Sequence, residues 1–165
     1  MSIKAFSAFL IAISLLFTSG CGFHLRRNQV ELGNKYPIIV LQRSGSHTLY
    51  QALRRALVMA STDVLSQSPE GDELLPQLII ASQLLTQQPL VYGPDSELRR
   101  ERLKMSVTFS FANPTPTQIV LYSVRDRQLN SNQYLGDNAE KSMIEHEMQA
   151  DIIRQLLQYL ESSRF

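Results

Sequence analysis

Between Arg102 and Phe111 the chain alternates without a break: Leu103, Met105, Val107, Phe109 and Phe111 are apolar, while Arg102, Lys104, Ser106, Thr108 and Ser110 are polar. Successive side chains of an extended strand point to opposite faces, so this pattern predicts a strand with one face buried and the other polar. Such a strand is not stable alone; it needs paired neighbours and an apolar layer over its buried face. The rest of the sequence supplies both.

Upstream, Tyr36 to Leu41 contains Pro37-Ile38-Ile39-Val40-Leu41, apolar at successive positions and rich in β-branched residues, as a buried strand would be. Ser44-Gly45-Ser46 ends it and offers a helix cap. Leu49, Ala52, Leu53, Ala56, Leu57 and Ala60 then recur at helical spacing and predict a helix over His47–Ala60, with Arg54 and Arg55 off the apolar stripe. Ser61 to Pro76 holds a short candidate strand, Asp63 to Ser66, and a polar link through Pro69, Gly71 and Asp72. Leu78 to Thr86 reads as a strand, with Pro89 and Gly93-Pro94-Asp95 marking its end and a loop.

Beyond the alternating strand, Asn113-Pro114-Thr115-Pro116 supplies a turn and Thr117 to Leu129 a further strand. A last helix is predicted from Asp137, where Glu140 three residues on completes a capping box, to about Glu161. Ile144, Met148, Ile152, Leu156 and Leu160 form its stripe, and Glu140, Glu145, Glu147 and Asp151 crowd its early turns, where the helix dipole favours acids. Two apolar helix stripes must cover one apolar sheet face. The expected fold is therefore α+β: a two-layer sandwich with two helices on one face of a mixed, roughly four-stranded sheet.

The N-terminal stretch follows a different logic. Met1 to Lys4 carries one positive charge, and Ala5 to Phe17 is an uncharged apolar run of thirteen residues. A spanning helix needs about 20, so the run has the proportions of a secretory signal. Ser19 and Gly20 stand against Cys21, the one cysteine of the chain, as in a lipoprotein signal. The expected organisation is a removed signal over 1–20, a lipidated tether over 21–35 starting with N-acyl, S-diacylglycerol Cys21, and a single domain over 36–165. Several acyl chains on one residue give a stable membrane anchor, whereas a single chain binds only marginally. Gly22 stands where an inner-membrane retention signal would have Asp, which favours the outer membrane of a Gram-negative envelope. The plainer reading, an ordinary signal with an unrelated cysteine, has to explain why the lone cysteine stands at that spot.

Removal of 1–20 takes away one base, Lys4, and leaves 145 residues with 15 bases against 15 acids. A chain without net charge has no global attraction for nucleic acid. With Cys21 committed to lipid there is no disulfide. His146-Glu147-Met148-Gln149-Ala150 is the nearest approach to a zinc motif, but Ala150 stands where the second histidine is needed, so His146 reads as a helix-surface residue and no metal is expected. His24, His47 and His146 are far apart, and no nucleophile elbow or phosphate-cradling glycine loop is present. Neither catalytic residues nor a cofactor is expected.

One local charge concentration stands out. Arg99, Arg100, Arg102 and Lys104 fall within six residues, interrupted by Glu101. Alternation puts Arg100, Arg102 and Lys104 in one row on the polar sheet face, about 6.7 Å apart. Such a row could pair with a polyanionic head group, since guanidinium binds phosphate and carboxylate bidentately. Equally, it could be a solvated face that keeps the sheet from pairing.

Cys21-Gly22-Phe23-His24-Leu25-Arg26, together with Leu135-Gly136-Asp137-Asn138-Ala139-Glu140 followed by Met143-Ile144 and Glu147-Met148, resembles the LptE family of lipopolysaccharide-assembly lipoproteins. The likeness in element order extends over the mature chain. It implies a non-enzymatic subunit that plugs the outer-membrane β-barrel LptD, helps it assemble, and binds lipopolysaccharide, with Arg99, Arg100, Arg102 and Lys104 as the candidate contacts. Members often have a base just before the Asp-Asn pair, where this chain has Gly136. Without the resemblance, the alternatives are a periplasm-facing lipoprotein scaffold of another envelope complex, or a degenerate hydrolase. The anchor is testable directly: Cys21→Ser should abolish fatty-acid labelling and leave an uncut precursor, and labelling that persists would remove Cys21 as the attachment point.

Overall fold

The computed structural model describes residues 31–69, 75–113, 115–129 and 134–163; the expected signal and Cys21 lie outside the described residues. The elements are β1 (Ile38–Arg43), α1 (His47–Met59), β2 (Asp63–Leu65), β3 (Gln77–Tyr92), β4 (Leu98–Ala112), β5 (Pro116–Gln128) and α2 (Tyr134–Ser162). They form an α+β sandwich with a mixed sheet in the order β2-β1-β3-β4-β5. Strand β1 runs parallel to β2 and β3, and β3, β4 and β5 make an antiparallel meander. The sheet has five strands among the described residues rather than four, because the short segment Asp63–Leu65 pairs with Ile38–Val40 at the sheet edge.

Three local features differ from the sequence pattern. Strand β3 does not stop at Thr86 but runs through Pro89 to Tyr92. Its pairing with β1 ends at Ile80, so from Ser82 onward it pairs with β4 alone, and a proline is tolerated where one side of a strand needs no N–H donor. Helix α2 begins at Tyr134, which puts Asp137 in the first turn rather than at the cap. The sheet face away from the helices is not polar throughout: Leu84 of β3 (60% exposed) and Val120 (58%) and Tyr122 (60%) of β5 present apolar surface on either side of β4.

The alternation in β4 does what it predicts. Leu103, Val107, Phe109 and Phe111 are fully buried, joined by Leu78 and Ile80 from β3, Leu49, Leu53 and Leu57 from α1, and Met148, Ile152, Leu156 and Leu160 from α2. Tyr36 meets Phe111 edge-to-face at 5.4 Å between ring centroids. Ser46 caps α1, its hydroxyl accepting from the Leu49 amide at 3.4 Å.

Residues just before Tyr36 also pack on the domain. Leu32 is fully buried, and the amides of Leu32 and Gly33 both donate to the Ala60 carbonyl, at 3.0 and 3.1 Å. A side chain at Gly33 would come within 2.2 Å of the Ser61 carbonyl oxygen, so the close approach requires glycine. Two residues on, Lys35 donates to the carbonyls of Leu160, Glu161 and Ser163, placing a cation on the orphan acceptors at the end of α2.

A polar clamp ties α2 to β5. The Ser123 hydroxyl donates to Asp151 at 2.8 Å, Arg154 bonds the other carboxylate oxygen, and Arg125 approaches at 3.8 Å. The Ser123 hydrogen bond is the largest cause, followed by Arg154, holding the Asp151 carboxyl below the usual range despite partial burial. A depressed carboxyl stabilises the fold above its unfolded pKa of about 3.9, and this contribution is lost as pH falls through the lower folded value.

The face assignment predicts an asymmetry between neighbours. Phe109→Ala should destabilise by about 3 to 5 kcal/mol, as for a fully buried ring. Thr108→Ala, on the opposite face, should cost less than about 1 kcal/mol. Denaturant midpoints measure both, and equal losses would contradict the orientation of β4.

Candidate functional site

The four bases identified in the sequence lie in the first half of β4, and their alternation divides them. Arg100, Arg102 and Lys104 share the outward face, where Glu101, Leu103 and Met105 between them turn inward and are buried. Arg99 has the opposite parity but sits beyond the core; its side chain is 55% exposed and lies 3.9 Å from Glu97.

The three outward cations are not equivalent. Arg102 faces Asp126 directly across the β4–β5 ladder and holds it bidentately, Nε to Oδ1 at 2.7 Å and Nη2 to Oδ2 at 2.9 Å. This hydrogen bonding is the largest cause lowering the Asp126 pKa, with the charges of Arg102 and Arg100 adding to it, and it raises that of Arg102 in return. Lys104 sits over the Tyr122 ring, 5.4 Å from its centroid, a cation–π contact that leaves the ammonium charge uncompensated. Arg100 makes no ion pair among the described residues.

Beside this row, Val91, Arg99, Arg100, Asp126, Arg127 and Gln128 line a hollow of about 470 Å³. Its inner wall is a feature not read from the sequence. Arg127 donates from Nε to Glu101 Oε1 at 2.6 Å and from Nη1 to the Asp137 carbonyl at 2.7 Å, with side-chain exposures of 8% for Arg127 and 5% for Glu101. The pair joins β4, β5 and the first turn of α2 at the end of the sheet that displays the bases. The signal was present: Glu101 has the parity of Leu103 and Phe109, and an acid on the core side of a strand needs a partner. Which partner depends on the β4–β5 register, which sets Glu101 opposite Arg127.

No group of three or more His, Cys, Asp or Glu residues able to hold a metal ion occurs among the described residues. His146 lies on α2 with Nδ1 hydrogen-bonded to the Ser142 carbonyl of its own helix at 2.7 Å. Gly136 lies exposed in the first turn of α2.

These features define a two-layer α+β sandwich that carries an arginine-rich surface at one end of its sheet. The chain belongs to the LptE family of lipopolysaccharide-assembly proteins, whose family model matches residues 30–160. Among solved structures it is similar to the crystal structure of the rare lipoprotein B from Shewanella oneidensis, with 19% identity, a TM-score of 0.68, and coverage of 76% of this chain and 94% of that one. The solution structure of an uncharacterized lipoprotein B from Nitrosomonas europaea matches with 20% identity and a TM-score of 0.65, covering 86% of this chain and 91% of that one. A minor lipoprotein from Acinetobacter baumannii matches with 17% identity and a TM-score of 0.62, over 77% and 92% of the two chains. At these identities the likeness establishes the shared fold. No curated protein matches the sequence.

The buried pair makes a definite prediction. Glu101→Ala, which strands the Arg127 guanidinium, should cost about 3 to 5 kcal/mol in chemical denaturation. Replacing both residues with methionine should recover most of that loss, since an apolar pair leaves no buried charge uncompensated. A double variant as unstable as the single one would show that the pair itself, not the orphaned charge, holds the sheet end together.

Proposed function

We propose that this protein is an outer-membrane lipoprotein, anchored through acylated Cys21, that plugs the LptD barrel and binds the anionic head of lipopolysaccharide with Arg99, Arg100 and Lys104. Family membership supports the lipopolysaccharide-assembly role. The observation that carries the binding reading is Arg100: it borders the hollow beside Arg99 and lacks an ion-pair partner among the described residues. Arg102, whose charge is already matched by Asp126, orients that carboxylate and contributes less. The exposed apolar residues Leu84 and Val120, with Tyr122 between them and Lys104, offer a surface for contact with the barrel lumen that adjoins the cationic end. Neither role requires catalysis or a cofactor.

The test uses the full chain in lipid nanodiscs and purified lipopolysaccharide. Arg99→Glu with Arg100→Glu should weaken binding about tenfold at low salt, as two modest charge contributions reversed in sign would do. The difference should shrink as salt screens it, and co-purification with LptD should persist. Equal affinity of variant and parent at both salts would make these side chains a solvated face; loss of co-purification would make them a barrel contact.

A further inference from the structure

The edges of the sheet are not alike. Strand β2 is three residues long and exposes Asp63. Strand β5 carries Arg125, Asp126 and Arg127, and Gln155 of α2 donates to its Tyr122 carbonyl at 3.3 Å. Short length, charge and a covering helix all keep an edge from pairing with another chain. The remaining edge belongs to β3. Strand β1 ends at Arg43, opposite Ile80, and from Ser82 to Tyr92 no strand among the described residues pairs with β3 on that side. These eleven residues include no charged side chain, and Leu84, Leu90, Val91 and Tyr92 are 36 to 61% exposed. Pro89 is the one guard, and it spares Ser82–Gln88, a stretch of about 23 Å at 3.3 Å per residue.

Space and an unmet hydrogen-bond acceptor stand beside this edge. Ser44, Gly45 and Ser46, just past the end of β1, and Ala81, Ser82 and Gln83 of β3 border a hollow in the line a further strand would take. Gln83 points Nε2 at Met105 Sδ, 3.7 Å away, and its Oε1 is buried with no hydrogen-bond partner among the described residues. A buried amide oxygen without a donor is destabilising, and a side-chain amide on an adjoining strand would relieve it.

The character of the edge selects its occupant. A closed β-barrel has no free edge, so a barrel wall cannot continue this ladder. A second copy of the chain can. Its edge is uncharged like the first, so antiparallel pairing in any register sets no like charges opposite one another. Leu84 and Leu90 stand three residues either side of Gln87, and a two-fold axis there sets Leu84 of each copy against Leu90 of the other. The β4 strands of the two copies would then be three strand spacings apart, about 14 Å, so their bases are screened from each other at physiological salt.

We propose that two copies of this chain associate edge to edge through antiparallel pairing of Ser82–Tyr92, joining their sheets into one. The contact lies in the plane of the sheet's hydrogen bonds and does not rest on the role proposed for the cationic end.

The experiment is sedimentation of the detergent-solubilised full chain over a range of concentrations, with amide hydrogen exchange measured at each. The parent should pass from monomer to dimer, and the amides of Ser82–Gln88 should exchange more slowly as the dimer forms. Leu84→Lys with Gln87→Lys, both at exposed positions, should raise the dissociation constant about tenfold or more, the equivalent of about 1.4 kcal/mol. Gln87→Lys and Gln87→Glu should each weaken the dimer, and a mixture of the two should associate more tightly than either alone, which loss of folding cannot produce. A parent that stays monomeric at every concentration would overturn the proposal, as would a dimer that the lysines leave unchanged or a mixture no tighter than its components. Protection of Ser82–Gln88 that appears only in the complex with LptD would also overturn it, by assigning the edge to that partner.

Discussion

Burial of the inward row of β4 is the constraint on which the rest of the structure depends. Leu103, Val107, Phe109 and Phe111 are fully buried and share one core with the apolar stripes of both helices and the inner faces of β1 and β3. Because β4 is paired along its length on both sides, to β3 and β5, fixing its faces fixes theirs. A slip of one residue would expose two phenylalanines and bury Lys104, so the register is held by the pattern itself. At the N-terminal end of the same row the core runs out, and Glu101 takes the inward place that a leucine would otherwise hold.

That substitution of charge for carbon at the sheet end has consequences in two directions. Inward, Glu101 and Arg127 neutralise one another and tie the first turn of α2 to the sheet through the Asp137 carbonyl. Outward, the same register that sets Glu101 against Arg127 sets Arg102 against Asp126. Two cross-strand pairs in succession, one buried and one exposed, therefore consume two of the bases at this end. The positive character that remains belongs to Arg100 and Lys104, with Arg99 in looser contact with Glu97, and it is narrower than the run of bases suggests.

The two faces of the sandwich differ in what they offer a partner. The sheet face presents extended polar and apolar strips: serine and threonine along β4, flanked by Leu84, Val120 and Tyr122. A flat surface of this composition suits contact with another protein. The helix face carries an open groove between α1 and α2, lined in part by Ala52, Ala56 and Ala150.

Much of this architecture was legible in the sequence, because period-two and period-3.6 apolar patterns follow directly from strand and helix geometry. The alternation at Leu103–Phe111 determined which face of β4 is buried, and the stripes of Leu49 to Ala60 and Ile144 to Leu160 determined that two helices cover it. The clustering of Arg99, Arg100, Arg102 and Lys104, and the sharing of one face by three of them, were equally readable. What the linear pattern left undecided is whatever depends on register and on the packing of one element against another. Pairing of Asp63–Leu65 with β1, passage of β3 through Pro89, the choice of Asp126 and Arg127 as partners for Arg102 and Glu101, and the groove between α1 and α2 were decided by the tertiary structure. Each is an interaction between residues distant in sequence, whose energies emerge only when the chain is compact, and local periodicity holds no record of them.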